Sequence, residues 1–435
     1  MNDTNLSPKP IPNESFANLG IAPKLLDILE KNKFTTPTPI QAQSIPPAIE
    51  GKDLMGIAQT GTGKTLAFGV PMLQRLAQSK GQKKGLIILP TRELAIQVDA
   101  TLKKIGSSLG LRTAILIGGE PMQKQIRALR QNPNITIATP GRLVDHLENR
   151  KLNLSNVGIL VLDEADRMLD MGFAPQIKKI LDKVPRDRQT MLFSATMPGQ
   201  IVTLARSYMN LPLRVEVAPA GSVVQTVTQE LFFVDRNEKM DLLNNLLTKY
   251  QGSVLVFSRT KHGAKKIAQT IRNMGHSASE IHSNRSLHQR IESLEGFKIG
   301  RYRILVATDI AARGIDVTGI QVVINYDLPG TPEDYVHRIG RTGRAGMVGH
   351  AVTFATHDQQ SDVRAIERLI KKDLKISGQT NQNQQNSRHQ HAHPRFSGRS
   401  GHGSNQNRRF RRFKHRQSPY GNSDSSGRGY FRKRN

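Results

Sequence analysis

Eight residues, Ala58-Gln59-Thr60-Gly61-Thr62-Gly63-Lys64-Thr65, set glycines, a lysine and hydroxyls directly before a helical run from Leu66 to Leu76. Gly61 and Gly63 let the backbone approach a polyphosphate and aim several N–H groups at it, and the positive end of the following helix adds to the attraction. Lys64 supplies a mobile charge for the terminal phosphates, and Thr65 a hydroxyl for Mg²⁺. These are the parts of a phosphate-binding loop, with Ala58 where the strict pattern has glycine.

The matching acids lie further on. Ile159-Leu160-Val161-Leu162 is a buried-strand pattern that ends in Asp163-Glu164-Ala165-Asp166. Asp163 is placed to hold Mg²⁺ through its water shell. Glu164 is placed to orient and deprotonate a water attacking the γ-phosphate, and Asp166, one step out, suits a relay. Acids after a strand also serve as helix caps, but together with the loop upstream they read as a nucleoside triphosphatase. Arg341 and Arg344 stand three apart, one helical turn, so both guanidinia can face a phosphate as arginine fingers or form a solvated basic helix end. The amide of Gln41 can accept from and donate to one adenine edge, and Phe16 offers a ring to stack; taken by itself, Gln41 also reads as a solvated helix-start residue.

Elements must carry these groups to one place. Apolar runs at 85–90, 112–117, 135–138, 157–162 and 189–193 alternate with helical patterns, which predicts a parallel sheet covered on both faces. A second series, at 230–234, 253–257, 303–306, 321–324 and 351–354, follows a Pro- and Gly-containing stretch and has no phosphate loop of its own. In such sheets ligands bind beyond the carboxyl ends of the strands. The residues found there are Pro90-Thr91-Arg92-Glu93, Gly118-Gly119, Thr139-Pro140-Gly141-Arg142, Ser194-Ala195-Thr196 and Thr308-Asp309.

Composition bounds the partner. A net charge of +28, from 63 Lys and Arg against 35 Asp and Glu, points to a polyanion, nucleic acid before membrane surface. The absence of cysteine excludes disulfides, thiolate zinc sites and cysteine nucleophiles. With no apolar signal core and no apolar run of about 20 residues, the expectation is a soluble, cytoplasmic protein with no membrane contact. From Gly378 onward Asn, Gln, Ser, Gly, His and Arg dominate, with 13 Lys and Arg against one acid, Asp424. That stretch cannot bury a core and is expected to be disordered. Its interspersed Phe396, Phe410, Phe413, Tyr420, Tyr430 and Phe431 suit stacking on unpaired bases; a solubility tail is the alternative.

Taken together, these motifs resemble the DEAD-box ATP-dependent RNA helicases, and most closely their RhlE-like bacterial subgroup, over about residues 16–372. The resemblance implies two tandem RecA-like domains, α/β with parallel sheets flanked by helices, and ATP, Mg²⁺ and RNA bound across the cleft. It gives Phe16 and Gln41 to adenine, Ala58 to Thr65 to the phosphates, Gly314 and Asp316 to the nucleotide from the second domain, and Arg341 and Arg344 to the γ-phosphate. Ser194, Thr196, Asp166 and His337 would couple hydrolysis to strand separation. RNA would cross residues 90–93, 118–119 and 139–142, and Arg259 and Thr308. Where the family usually has Gln-x-x-Arg, this chain has Leu287-His288-Gln289-Arg290.

The expected layout is an arm at 1–15, a first domain at 16–212, a linker at 213–228, a second domain at 229–377 and a basic tail at 378–435. The expected activity is RNA-dependent ATP hydrolysis that opens short duplexes, by a monomer. Its partners would be RNA and ribosome assembly intermediates or RNA decay proteins. The alternatives are a DNA-directed helicase of the same superfamily, and an ATP-independent RNA annealer acting through the tail.

Overall fold

The computed structural model describes residues 15–59, 61–79, 81–217, 227–312, 317, 319–343 and 349–379. Thr60, Gly314, Asp316, Arg344, the arm before Ser15 and the basic tail after Gln379, and the readings placed on them, lie outside the described residues.

Seven strands make the first sheet: β1 Leu54–Ile57, β2 Lys84–Ile88, β3 Thr113–Leu116, β4 Ile135–Ala138, β5 Val157–Leu162, β6 Gln189–Ser194 and β7 Leu213–Glu216. Seven more make the second: β8 Val227–Phe233, β9 Val254–Phe257, β10 Ala278–Ile281, β11 Ile304–Ala307, β12 Val322–Asn325, β13 Gly349–Ala355 and β14 Lys375–Gln379. Every recorded pairing within these sheets is parallel. The orders are β3-β4-β2-β5-β6-β1-β7 and β10-β11-β9-β12-β13-β8-β14. Numbering each set from one gives 3-4-2-5-6-1-7 twice, so the two halves share one topology.

Helices cover both faces, and the central strands are buried along their whole length, β4, β5, β6, β9, β11 and β12 among them. This is the burial that parallel strands require, and each enclosed Leu, Ile or Val contributes roughly 1.5–3 kcal/mol. Helix starts are set locally. Thr91 caps helix Arg92–Gly106 through a hydrogen bond from the Leu94 N–H, and Pro140 opens helix Pro140–Glu148 at a position where its missing N–H costs nothing.

Four strands escape the sequence reading. β1 is short and carries Gly56; β10 carries Ser279 and Glu280 in place of an apolar run; β7 and β14 sit at sheet edges, where little needs burying. The linker expected over 213–228 therefore gives its first residues to β7 and its last to β8. The boundary expected at 377 is also too early, because Gly378 and Gln379 pair with Phe232 and Phe233.

Candidate functional site

β6 lies between β1 and β5, hydrogen-bonded to both, so the phosphate loop, the acids and the segment 194–196 emerge side by side at the carboxyl edge. The Ala58 N–H donates to the Ser194 carbonyl at 3.0 Å, tying the base of the loop to β6. Gly61 and Gly63 have φ of 88° and 91°, the left-handed region open to glycine at little cost. Lys64, 6% exposed, donates to the Ala58 carbonyl at 2.9 Å and stands 3.9 Å from Asp163. Thr65 lies in the first turn of helix Lys64–Gln78, and the Thr62 hydroxyl closes the loop onto the Gln59 carbonyl at 2.7 Å.

Gln41 is buried and already at work. Its Oε1 accepts from the Thr38 N–H at 2.9 Å in a capping box, and its Nε2 donates to the Gly63 carbonyl at 2.9 Å. A Cβ at position 63 would collide with that Nε2. A glutamine amide has two donors and two acceptor lone pairs, so one of each remains for a base edge. The solvated helix start is therefore ruled out. Phe16, 4% exposed, is packed in the core of the first half rather than open for stacking.

The acids are buried together. Burial pushes the Asp163 carboxyl up to about 6, against the opposing charge of Lys64. Burial also works to raise Glu164, but Arg167, Lys64 and Arg341 outweigh it and hold that carboxyl below its usual range. Glu164 has φ of 51°, a left-handed conformation costing a non-glycine residue about 1–2 kcal/mol. It is held there by Arg167, 2.9 Å away and 1% exposed. Arg167 was not singled out from sequence; its position three residues after Glu164 at a helix start was the available signal.

Asp166 is a junction. Its Oδ2 accepts from the Ala195 N–H at 3.0 Å, the Thr196 N–H at 2.8 Å and the Thr196 hydroxyl at 2.9 Å, while its own N–H donates to the Ser194 hydroxyl at 3.3 Å. Burial lowers His337 to about 4, reinforced by Arg167 and opposed by Asp166, so the imidazole is neutral at pH 7. Helix Pro332–Ile339 ends before Arg341, at Gly340, so the helical-turn argument for the two arginines fails. Instead Arg341 is 3% exposed, donates from Nε to the His337 carbonyl at 3.3 Å, and its charge bears on Glu164. Thr342 turns away to bridge Ile320.

The expected nucleic-acid residues follow adjacent strands. Residues 90–93, 118–119 and 139–142 follow β2, β3 and β4, and Arg259 and Thr308 follow β9 and β11. Arg92 lies across Gly118 and Gly119, where a Cβ would meet its guanidinium. Arg142 donates to the Glu120 carbonyl at 2.9 Å. The Arg259 N–H donates to Asp327 Oδ2 at 3.0 Å and its guanidinium to the Leu328 carbonyl at 3.3 Å. Glu93 departs from the expectation: 4% exposed, it forms a 2.9 Å ion pair with Arg290 of the second half, close in distance but off the hydrogen-bonding angle. It therefore serves the junction of the halves rather than RNA.

A phosphate loop after the first strand, buried acids after the fifth and a second sheet of the same order define an ATPase-type pair of tandem RecA-like domains. Residues 38–204 match the DEAD/DEAH box helicase family and residues 238–346 the helicase conserved C-terminal domain. The chain is 43% identical over 363 residues to an ATP-dependent rRNA helicase, RRP3, of Debaryomyces hansenii, covering 83% of this chain and 76% of that one. It is 43% identical over 361 residues to the DEAD-box ATP-dependent RNA helicase CshA of Bacillus subtilis, covering 83% and 73%. S. cerevisiae Dbp5 bound to RNA and ADP BeF3 is similar in structure, with TM-score 0.76 and 30% identity over 84% of this chain and 96% of that one. The chain belongs to the DEAD-box RNA helicase family.

Proposed function

We propose that this chain is an RNA-dependent ATPase that opens short RNA duplexes or remodels RNA–protein complexes by clamping one strand and releasing it after hydrolysis. The observation that carries this reading is Asp166. One carboxylate binds the 194–196 segment three times, borders His337 of the second half and belongs to the acid cluster at the phosphate loop. Nucleotide state and the arrangement of the halves thus meet at one side chain.

Lys64 and the backbone of 61–63 would receive the phosphates, Glu164 would take a proton from the attacking water, and Arg341 would stabilise charge on the γ-phosphate. Mg²⁺ fits the donor set: Asp163 is buried with a raised pKa, which marks a negative charge that Lys64 alone does not compensate, and Thr65, next to Lys64 in the first turn of the helix, adds a hydroxyl. Bound there with ATP, the ion would neutralise charge on the β and γ oxygens. Among the described residues no group of three or more His, Cys, Asp or Glu side chains could by itself hold a metal ion.

RNA would be held by the ends of β3, β4 and β2 and of β11 and β9, mainly through phosphates and 2′-hydroxyls, so the core would read little sequence. The basic residues beyond 378 would tether RNA nearby. The motif set favours the RhlE-like subgroup. Ribosome assembly intermediates or RNA decay proteins are the proposed partners, the first in line with the rRNA named for the D. hansenii relative. A cytoplasmic monomer is proposed; no helix among the described residues is long and apolar enough to cross a membrane.

ATP turnover measured with and without single-stranded RNA should rise at least about tenfold with RNA and much less with DNA of the same sequence. Equal stimulation by DNA would favour the DNA-directed alternative, and strand annealing that survives Lys64→Ala would favour the tail-driven annealer.

Gln41→Ala should cut the preference for ATP over GTP by roughly tenfold, since a bidentate amide contact is worth about 1–3 kcal/mol. It should also loosen the loop, through loss of the Gly63 contact. Comparable kcat/KM for ATP and GTP in the unmodified chain would overturn the adenine role.

A further inference from the structure

Leu287 opens helix Leu287–Lys298 of the second half, yet its side chain is 7% exposed and belongs to the apolar cluster of the first half, with Leu94, Ala95 and Val98. Ile291, one turn on, packs on the same cluster. Between them Arg290 reaches Glu93 at 2.9 Å. Positions 287, 290 and 291 share one helical face, and that face meets helix Arg92–Gly106, which begins among the expected RNA contacts. The start of the second helix is fixed by a capping box: the Ser286 hydroxyl accepts the Gln289 N–H at 3.3 Å and Gln289 Oε1 accepts the Ser286 N–H at 3.1 Å. The Gln289 amide oxygen is thereby committed to the cap, and Leu287 is held at the first turn.

We propose that Leu287, with Ile291 beside it, is an apolar clasp that positions the second half on the first and sets how long the closed chain retains RNA. The proposal rests on the clamp reading above. Parting the halves returns both side chains to water, and burying a leucine is worth roughly one to two decades in an equilibrium constant. An apolar contact releases no counterions, so this contribution to RNA retention does not depend on salt, unlike any made by a side chain touching phosphate. Arg290 and Glu93 add direction to the contact; their charges are drawn from water, so the apolar pair supplies the net attraction.

The test uses the full chain with Mg²⁺, ADP and beryllium fluoride, following release of a labelled single-stranded RNA after addition of unlabelled competitor. Leu287→Gln should release RNA about tenfold faster, and Leu287→Met, which keeps the apolar volume, within about twofold of the unmodified chain. RNA affinity without nucleotide should be unchanged in both, and so should the log-log salt slope of binding. Release within twofold for Leu287→Gln would overturn the clasp. So would equal weakening without nucleotide, which would make Leu287 a fold-stabilising residue only, or a slope change of about 0.7, which would place the side chain against RNA phosphate. If the unmodified chain shows no nucleotide-dependent retention at all, the clamp reading falls and the clasp with it; if only Leu287→Gln behaves as the unmodified chain, the clamp stands and the clasp alone is lost.

Discussion

Replacing Arg341 by lysine should lower single-turnover ATP hydrolysis by about 10³-fold at saturating RNA, with ATP affinity changed less than about threefold. An arginine finger is worth 10³ or more in phosphoryl transfer because its planar fork meets two oxygens of the transferring group as charge develops. Arg341 is buried, with Nε anchored on the His337 carbonyl, so its guanidinium is pre-positioned rather than recruited from solvent. Lysine would keep the charge but lose both the anchor and the fork, and its loss would fall on the transition state rather than on the ground state. The measurement is rapid-quench hydrolysis under single turnover, with ATP affinity determined separately. A loss below tenfold would remove Arg341 from the chemistry.

Glu164→Gln should reduce the same single-turnover rate by at least about 10²-fold, the usual range for loss of a general base. The glutamine carbonyl can still accept from Arg167, so the bond that fixes residue 164 in its left-handed conformation survives and thermal stability should change little. ATP and RNA binding should persist, giving a chain that holds both and does not turn over. Cations hold the carboxyl below its usual range, so hydrolysis should not lose its base until well below neutral pH. An unchanged hydrolysis rate would assign the base elsewhere.

Much of the catalytic half was legible because its chemistry is local: the spacing of Gly61, Gly63, Lys64 and Thr65, and acids directly after an apolar strand, are contiguous patterns. What escaped depends on partners far along the chain. The partner of Glu93 is Arg290, and the amide of Gln41 closes on Gly63; nothing near either residue announces this. β10 was missed because Ser279 and Glu280 occupy buried positions, made tolerable by Ser293 and by Arg272 and Arg285. Helical spacing misled at Arg341 because Gly340 ends the helix first. Leu287 was visible as a departure from the family pattern, but only packing shows that it serves the opposite half.

The repeated strand order has a consequence for the birth of the molecule. Among the described residues no strand is exchanged: the first ladder is complete by Glu216 and the second begins only at Val227. During synthesis the amino-terminal sheet can therefore close before the carboxyl-terminal one is made, and domains do fold as units in that order. The nascent chain then has a phosphate loop, buried acids and the junction at Asp166, but not yet Arg341. On the roles proposed for the loop and for Arg341, nucleotide would be received early while hydrolysis would wait for the last third of the chain, so an unfinished molecule on the ribosome would hold ATP without spending it.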